Sequence, residues 1–86
     1  MPEISRFYGI GIKMFHNDHQ PPHFHAEYGS SRMVVSIETL AVMAGKLPPR
    51  AMGLVMEWAS IHRTELELAW NRATNLEPIG KIDPLN

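Results

Sequence analysis

The sequence predicts an α+β fold in which an antiparallel sheet of three or four strands packs against one long C-terminal helix. In the first half of the chain, apolar and polar residues alternate with the period of two that a half-buried strand requires. From position 51 onward, apolar residues recur every three or four positions, as they do on one face of a helix. The predicted strands are residues 5–15, 23–28, 32–38 and, as a candidate fourth, 40–44, and the predicted helix is residues 49–74.

The alternation also predicts which strand residues face the core. Polar turn sequences separate the strands: residues 16–22 contain Asn-Asp and Pro-Pro, and residues 29–31 are Gly-Ser-Ser. Residues His23, His25 and Glu27 are expected on the face of the second strand that is opposite the core. The residues predicted to face the core are Tyr8, Ile10, Ile12, Met14, Phe24, Ala26, Tyr28, Met33, Val35 and Ile37.

The helix is expected to begin at Pro48-Pro49, because proline suits the first helical turn. Its apolar stripe is formed by Ala51, Leu54, Val55, Trp58, Ile61, His62, Leu66 and Ala69. A second apolar group widens this stripe beyond what a small sheet covers, and it consists of Met52, Met56, Ala59 and Trp70. The N-terminal segment, the C-terminal tail or a second chain must cover this edge, and we expect a homodimer or a contact with the product of a neighbouring gene.

Composition limits the classes of protein to consider. The 86 residues are enough for a single domain, residues 1–86, of ordinary soluble composition, with 44% hydrophobic and 20% charged residues. The absence of cysteine excludes disulfides and thiolate metal sites. A net charge of −1 is not that of a protein that binds long nucleic acid through bulk charge. With neither a secretion signal nor an apolar run of membrane-spanning length, we expect a cytoplasmic protein without membrane contact.

Four of the five histidines lie between positions 16 and 25, and this cluster is the candidate site. On a strand, His23, His25 and Glu27 share one face, and two imidazoles with a carboxylate form a common ligand set for a divalent metal such as zinc or nickel. Asp18 and His19 could approach from the preceding loop, with His19 completing the set. The pattern therefore predicts a metal site with His23, His25 and Glu27 as ligands.

A metal-free catalytic site is the competing hypothesis. If the first two strands form a hairpin, Lys13 lies opposite His25 and Gly11 opposite Glu27. A lysine ammonium would repel a divalent cation and attract a phosphate, and Gly9 and Gly11 would leave a shallow trough for a ligand. Residues His19, His23, His25 and Lys13 would then catalyse phosphodiester cleavage of RNA by acid–base chemistry and charge stabilisation.

A third interpretation gives the histidines no chemical role. His23 and His25 would simply lie on the solvent face of a half-buried strand, or hydrogen-bond to the backbone. His62, near the middle of the helical stripe, is expected to be a core histidine with a hydrogen-bonded ring nitrogen.

Several segments resemble the prokaryotic domain of unknown function (DUF) family 4160. The segments are Ser5-Arg6-Phe7-Tyr8-Gly9, Asn17-Asp18-His19, Pro21-Pro22-His23-Phe24-His25-Ala26, Gly45-Lys46-Leu47-Pro48 and Glu57-Trp58-Ala59. The resemblance covers almost the whole chain but implies no established activity. It implies a small protein often encoded beside another short protein, an arrangement similar to toxin–antitoxin pairs, and it directs attention to Asn17, Asp18, His19, His23 and His25. We therefore expect a component of a two-gene, toxin–antitoxin-like system, acting on RNA or serving as a non-enzymatic, partner-binding or regulatory module.

Overall fold

Five strands, each paired with its neighbour in sequence, form one antiparallel sheet, and two helices follow it. The computed structural model describes residues 3–86; of the predicted domain 1–86, positions 1 and 2 lie outside the described residues. The strands are β1 (Glu3–Phe7), β2 (Ile10–Lys13), β3 (His23–Tyr28), β4 (Ser31–Ser36) and β5 (Val42–Lys46), and the helices are α1 (Pro49–Ile61) and α2 (Arg63–Thr74). The predicted α+β class is confirmed, whereas the numbers of strands and helices are corrected.

The single strand predicted over residues 5–15 is a hairpin of β1 and β2. Tyr8 and Gly9 both have positive φ, +50° and +78°, as the two central residues of a type I′ turn require. Phe7 pairs with Ile10 across this turn, so both side chains enter the core. Tyr8 is 57% exposed, and the prediction that it faces the core is wrong because the turn at Tyr8-Gly9 interrupts the strand on which the alternation depends. Tyr28, at the end of β3, is likewise exposed.

The last strand lies two residues later than the predicted 40–44. Leu40 has a φ of +60° and its amide bonds to the carbonyl of Ser36, so this residue belongs to a turn. Gly45 has a φ of +71°, and a Cβ at this position would lie 2.2 Å from the carbonyl oxygen of Arg32. The close approach of β5 to β4 therefore requires glycine here.

The long helix predicted over residues 49–74 is interrupted at His62. A continuous helix of that length would measure about 39 Å, which exceeds the 33 Å longest extent of the molecule. His62 adopts φ −109° and ψ 25°, and its ring nitrogen Nδ1 contacts the Glu65 carboxylate. Ile61, predicted in the apolar stripe, is 61% exposed beside this break. Within residues 3–86, neither the length nor the hydropathy of any helix suffices for a membrane crossing.

Trp58 is the centre of the core, as the helical spacing predicts. Its side chain is fully buried, and its indole lies 5.4 Å from the Phe7 ring and 5.9 Å from the Phe24 ring. The indole N–H donates to the carbonyl of Asp83 at 2.8 Å. Trp58 therefore joins α1 to the sheet and to the C-terminal tail.

The tail after α2 packs back onto the domain. Ile79 and Ile82 are buried, and the amide of Ile82 donates to the carbonyl of Ile4 on β1. In the second apolar group of the helices, Ala59 and Trp70 are buried within this chain and the two methionines are half-buried. Covering by the chain itself, which the sequence also allows, thus accounts for much of this edge, and the homodimer and the neighbouring gene product remain predictions.

Candidate metal-binding site

Three side chains near the start of β3 converge on one point. Asp18 Oδ2 lies 3.0 Å from His23 Nε2 and 3.4 Å from His25 Nε2. One potential ligand atom from each residue lies within 4.8 Å of the other two, and the group is the size that could hold a metal ion. His23 is buried, whereas Asp18 and His25 are partly exposed, with 18% and 28% of their side chains accessible. The cluster is therefore closed on one side and open to solvent on the other.

His23 is fixed in position from two directions. Its Nδ1 lies 2.7 Å from the carbonyl oxygen of Pro21, and its ring packs 5.2 Å from the indole of Trp70 on α2. A carbonyl oxygen only accepts hydrogen bonds, so Nδ1 carries a proton and donates it. In a neutral His23, Nε2 is then unprotonated and directs its lone pair at the Asp18 carboxylate.

The loop that carries Asp18 is held by backbone hydrogen bonds to other elements. The amide of Asn17 donates to the carbonyl of Ala73 at the end of α2, and the carbonyl of Pro22 accepts from Ile37. Asn17 has a φ of +54°, a conformation that asparagine tolerates better than most residues. The Gln20–Pro21 peptide bond is cis. The position of Asp18 beside the histidines thus depends on both α2 and the turn that follows β4.

The Asp18 carboxylate is oriented by its own neighbour. The backbone amide of His19 donates to Oδ1 at 2.8 Å, which leaves Oδ2 directed at the two imidazoles. Burial raises the pKa of Asp18, but the His19 amide and the hydrogen bonding and charge of His25 and His23 outweigh it. The pKa of Asp18 therefore lies below its ordinary value, and the carboxylate is ionised at neutral pH.

His19 lies at the open side of the cluster. Its ring stacks on that of His23 with centroids 5.0 Å apart, and its Nε2 is 3.7 Å from Asp18 Oδ1. The side chain is 79% exposed. His19 is thus adjacent to the converging atoms without belonging to the group that could hold one ion.

The predicted register of β2 and β3 is confirmed: Lys13 pairs with His25 and Gly11 with Glu27. Lys13 Nζ donates to Glu27 Oε1 at 2.9 Å, and this hydrogen bond holds the pKa of Glu27 below its usual range. Glu27, the carboxylate predicted as a metal ligand, is therefore occupied by Lys13, and the structure brings Asp18 to the histidines. Lys13, predicted to be catalytic, lies on the same face of the sheet as His25, and its charge is balanced by Glu27.

The trough predicted over Gly9 and Gly11 is absent from the described hairpin. Gly9 belongs to the turn, and the space above Gly11 is filled by the ion pair of Arg6 and Glu3, whose atoms lie 2.7 Å apart. A Cβ on Gly11 would lie 2.9 Å from the Arg6 guanidinium. The space that Gly11 leaves above the sheet is therefore occupied by the Arg6 side chain and not by a trough for a ligand.

An open pocket of about 370 Å³ lies beside His25 instead. Sequence reasoning missed this pocket because its lining comes from the segment after β2 and from β3, β4 and β5, and so depends on the strand register. Phe15 is part of it and meets His25 edge to face, with centroids 4.9 Å apart. The lining includes Phe15, His25, Glu27, Arg32, Val34 and Ala44.

His16 and His62 lie outside the converging group of Asp18, His23 and His25. His16 is bonded through Nε2 to the carbonyl of Glu77 in the tail, and His62 lies between the helices beside Trp58. The hydrogen bond predicted for a ring nitrogen of His62 is present, but the residue is half-buried and does not belong to the core. Neither residue contributes to the converging group.

Comparison with known proteins gives a family and no closer relative. No curated protein and no solved structure matches the chain. A family model described as a domain of unknown function, DUF4160, matches residues 9–71, a range that includes the loop, β3 and both helices up to Asn71. Because this match covers more than half of the sequence, the chain belongs to the DUF4160 family.

Proposed function

We propose that the protein binds a divalent transition metal, with zinc as the first candidate, through Asp18 Oδ2, His23 Nε2 and His25 Nε2. The observation that carries this proposal is the orientation of His23. Its Nδ1–H is bonded to Pro21, so whenever the ring is neutral the lone pair of Nε2 faces the Asp18 carboxylate at 3.0 Å. Two lone pairs at this distance repel unless a cation, either a proton or a metal ion, lies between them.

The distances between the three atoms suit such an ion. Zinc binds imidazole nitrogen and carboxylate oxygen at about 2.0–2.2 Å, so tetrahedral ligands are separated by roughly 3.3 Å. The separations of 3.0 Å and 3.4 Å from Asp18 Oδ2 are close to this value, and the ligand atoms of His23 and His25 lie within 4.8 Å of each other. The Pro21 carbonyl is also the kind of outer partner that fixes metal-bound histidines in other proteins.

Three protein ligands leave a coordination position for water or substrate, and a metal so bound supplies an activated water or polarises a substrate oxygen. The residues of the chain have the complementary tasks. Pro21 and Trp70 hold His23, the His19 amide orients Asp18, and the exposed His19 side chain is placed to donate or accept a proton at the open side. We therefore propose hydrolytic chemistry for this site.

The competing hypothesis places a proton where we propose the metal. His23 would then be an imidazolium paired with Asp18, and His19, His23, His25 and Lys13 would serve acid–base catalysis or only stabilise the fold. The two hypotheses differ in what the purified protein binds, so a metal titration separates them. The toxin–antitoxin-like role remains a prediction from the family resemblance.

The test is a zinc titration by calorimetry of protein first treated with a chelator, together with elemental analysis of untreated protein. We expect one zinc ion per chain. His25→Gln and Asp18→Asn should each weaken zinc binding more than about tenfold, since even loss of an outer partner costs about 10–100-fold. Both residues are partly exposed, so these variants should fold.

His16→Gln is the matched control, because it removes an imidazole from the same loop but outside the cluster. It should bind zinc as the wild type does. Weak zinc uptake that is equal in the wild type and all three variants would refute the metal site and favour the proton-bonded pair.

A further inference from the structure

The open face of the sheet carries positive charge that the whole-chain balance hides. Residues paired directly across neighbouring strands place their side chains on the same face. The pairings Arg6–Gly11, Gly11–Glu27, Glu27–Arg32 and Arg32–Lys46 therefore form one row across all five strands. With Lys13 and Glu3 in the neighbouring row, this face holds four cationic side chains and two carboxylates, although the chain as a whole has a net charge of −1.

Two of these four cations, Arg32 and Lys46, lie directly opposite each other. The other two form ion pairs, Arg6 with Glu3 and Lys13 with Glu27. Arg32 and Lys46 are partners on β4 and β5, and like charges in this position destabilise a sheet. The Arg32 side chain is 82% exposed, and its Nε lies 4.0 Å from Glu27 Oε2, at the outer distance limit of an ion pair. An anion that binds both Arg32 and Lys46 relieves this repulsion.

The lining of the pocket beside Arg32 is suited to binding a flat aromatic ring. Phe15, which is 38% exposed, offers an aromatic surface, and Val34 and Ala44 are apolar. The same pocket includes His25 of the candidate metal site. A phosphate at Arg32 and a base in this pocket are therefore compatible with one ligand.

We propose that this face binds single-stranded RNA, with a base in the Phe15 pocket and phosphates on Arg32 and Lys46. Neighbouring strands are about 4.8 Å apart, so the row from β1 to β5 extends about 19 Å and spans several phosphates of a strand. A single strand is required because a base within a duplex cannot enter a side pocket. Lys13 is bonded to Glu27 Oε1, whereas Oε2 lies 4.0 Å from Arg32 Nε and would accept a hydrogen bond from the ribose 2′-hydroxyl, which DNA lacks.

This inference goes beyond the proposed metal site and does not depend on it. None of Arg32, Lys46 and Phe15 belongs to the converging ligand group. Binding can therefore be measured with a chelator present, so failure of the RNA site and failure of the metal site are separate results. If both hold, His25 places the bound strand next to the metal.

The experiment is fluorescence anisotropy of a labelled ten-nucleotide RNA with the full chain in EDTA, at several salt concentrations between 50 and 200 mM. The test variant is Arg32→Gln/Lys46→Gln, and the control is Arg50→Gln/Arg63→Gln, which removes the same charge from exposed helical positions. Circular dichroism establishes that both variants are folded.

We expect the test variant to bind RNA at least tenfold more weakly than the control at low salt. Each phosphate contact on a single strand contributes about −0.7 to the slope of log K against log salt, so the test variant should lose about 1.4 of that slope. Phe15→Leu keeps an apolar side chain but removes the stacking surface, and it should weaken binding roughly 5- to 150-fold. DNA of the same sequence should bind more weakly than RNA.

Three results would overturn the proposal. Absence of RNA binding by the wild type would refute the RNA site. An equal loss of RNA affinity in the test and control variants would show that binding depends only on the net charge of the protein. Equal affinity for DNA and RNA overturns the assignment to RNA.

Discussion

Replacement of Trp58 tests whether the helices are packed on the sheet as described. The indole is fully buried between Phe7 and Phe24. Truncation of a buried tryptophan to alanine costs about 3–5 kcal/mol, and loss of the hydrogen bond to Asp83 adds about 0.5–1.5 kcal/mol. Since small domains are stable by only about 5–15 kcal/mol, Trp58→Ala should leave a domain that is barely folded at room temperature.

Trp58→Phe gives a measurable intermediate case. It keeps an aromatic ring but loses the N–H donor and part of the volume, so the free energy of unfolding should fall by about 1–3 kcal/mol. Urea denaturation followed by circular dichroism measures both variants, and Leu68→Ala, at a half-exposed position on α2, should stay within about 0.5 kcal/mol of the wild type. A Trp58→Ala midpoint close to that of the wild type would refute the packing.

Three further predictions concern the sheet, the tail and the metal. Gly45→Ala places a Cβ against the backbone of β4 at a positive φ, so it should lower the free energy of unfolding, measured in urea, by about 1–3 kcal/mol. Gly53→Ala, in open space on α1, should raise the free energy of unfolding by about 0.5–1 kcal/mol. Equal effects of the two substitutions would contradict the strand geometry. Ile82→Asp puts a charge at a buried position and should abolish hydrogen-exchange protection of the tail amides, while Leu76→Asp, at a site 68% exposed, should preserve it. Zinc at a free concentration one hundred times its Kd should stabilise the wild type by about 2.7 kcal/mol, or roughly 10–20 °C in Tm, and an equal shift in Asp18→Asn would show that the ion binds elsewhere.

Sequence periodicity predicted the parts of the fold that depend on local pattern. The α+β class, the face of β3 that carries Phe24, and the burial of Trp58 follow from which residues alternate or recur. The sequence does not indicate the turn at Tyr8-Gly9, because the apolar pattern continues on both sides of it. The break at His62 has no local signal of proline or glycine, and with it the helices lie within a molecule whose longest extent is 33 Å.

The candidate site divides in the same way. The shared face of His23 and His25 and the pairing of Lys13 with His25 follow from strand geometry. Strand geometry does not decide whether Asp18 or Glu27 is the carboxylate that lies beside the histidines. This depends on the ion pair that Lys13 forms with Glu27 and on the path of the loop that carries Asp18. Burial of His23 was also unpredictable from its strand, since Trp70 reaches it from α2.

The order of pairing in the sheet has a consequence for how the protein folds. Each strand pairs with the next one along the chain, so the sheet forms from contacts of short sequence separation, which favour rapid folding. The histidine cluster, in contrast, needs contacts of long separation: Asn17 with Ala73, and His23 with Trp70. We therefore expect the sheet to form early in folding and the geometry around Asp18 to be completed only when α2 docks. Slower formation of the helix contacts would leave the cluster incomplete in any partly folded state.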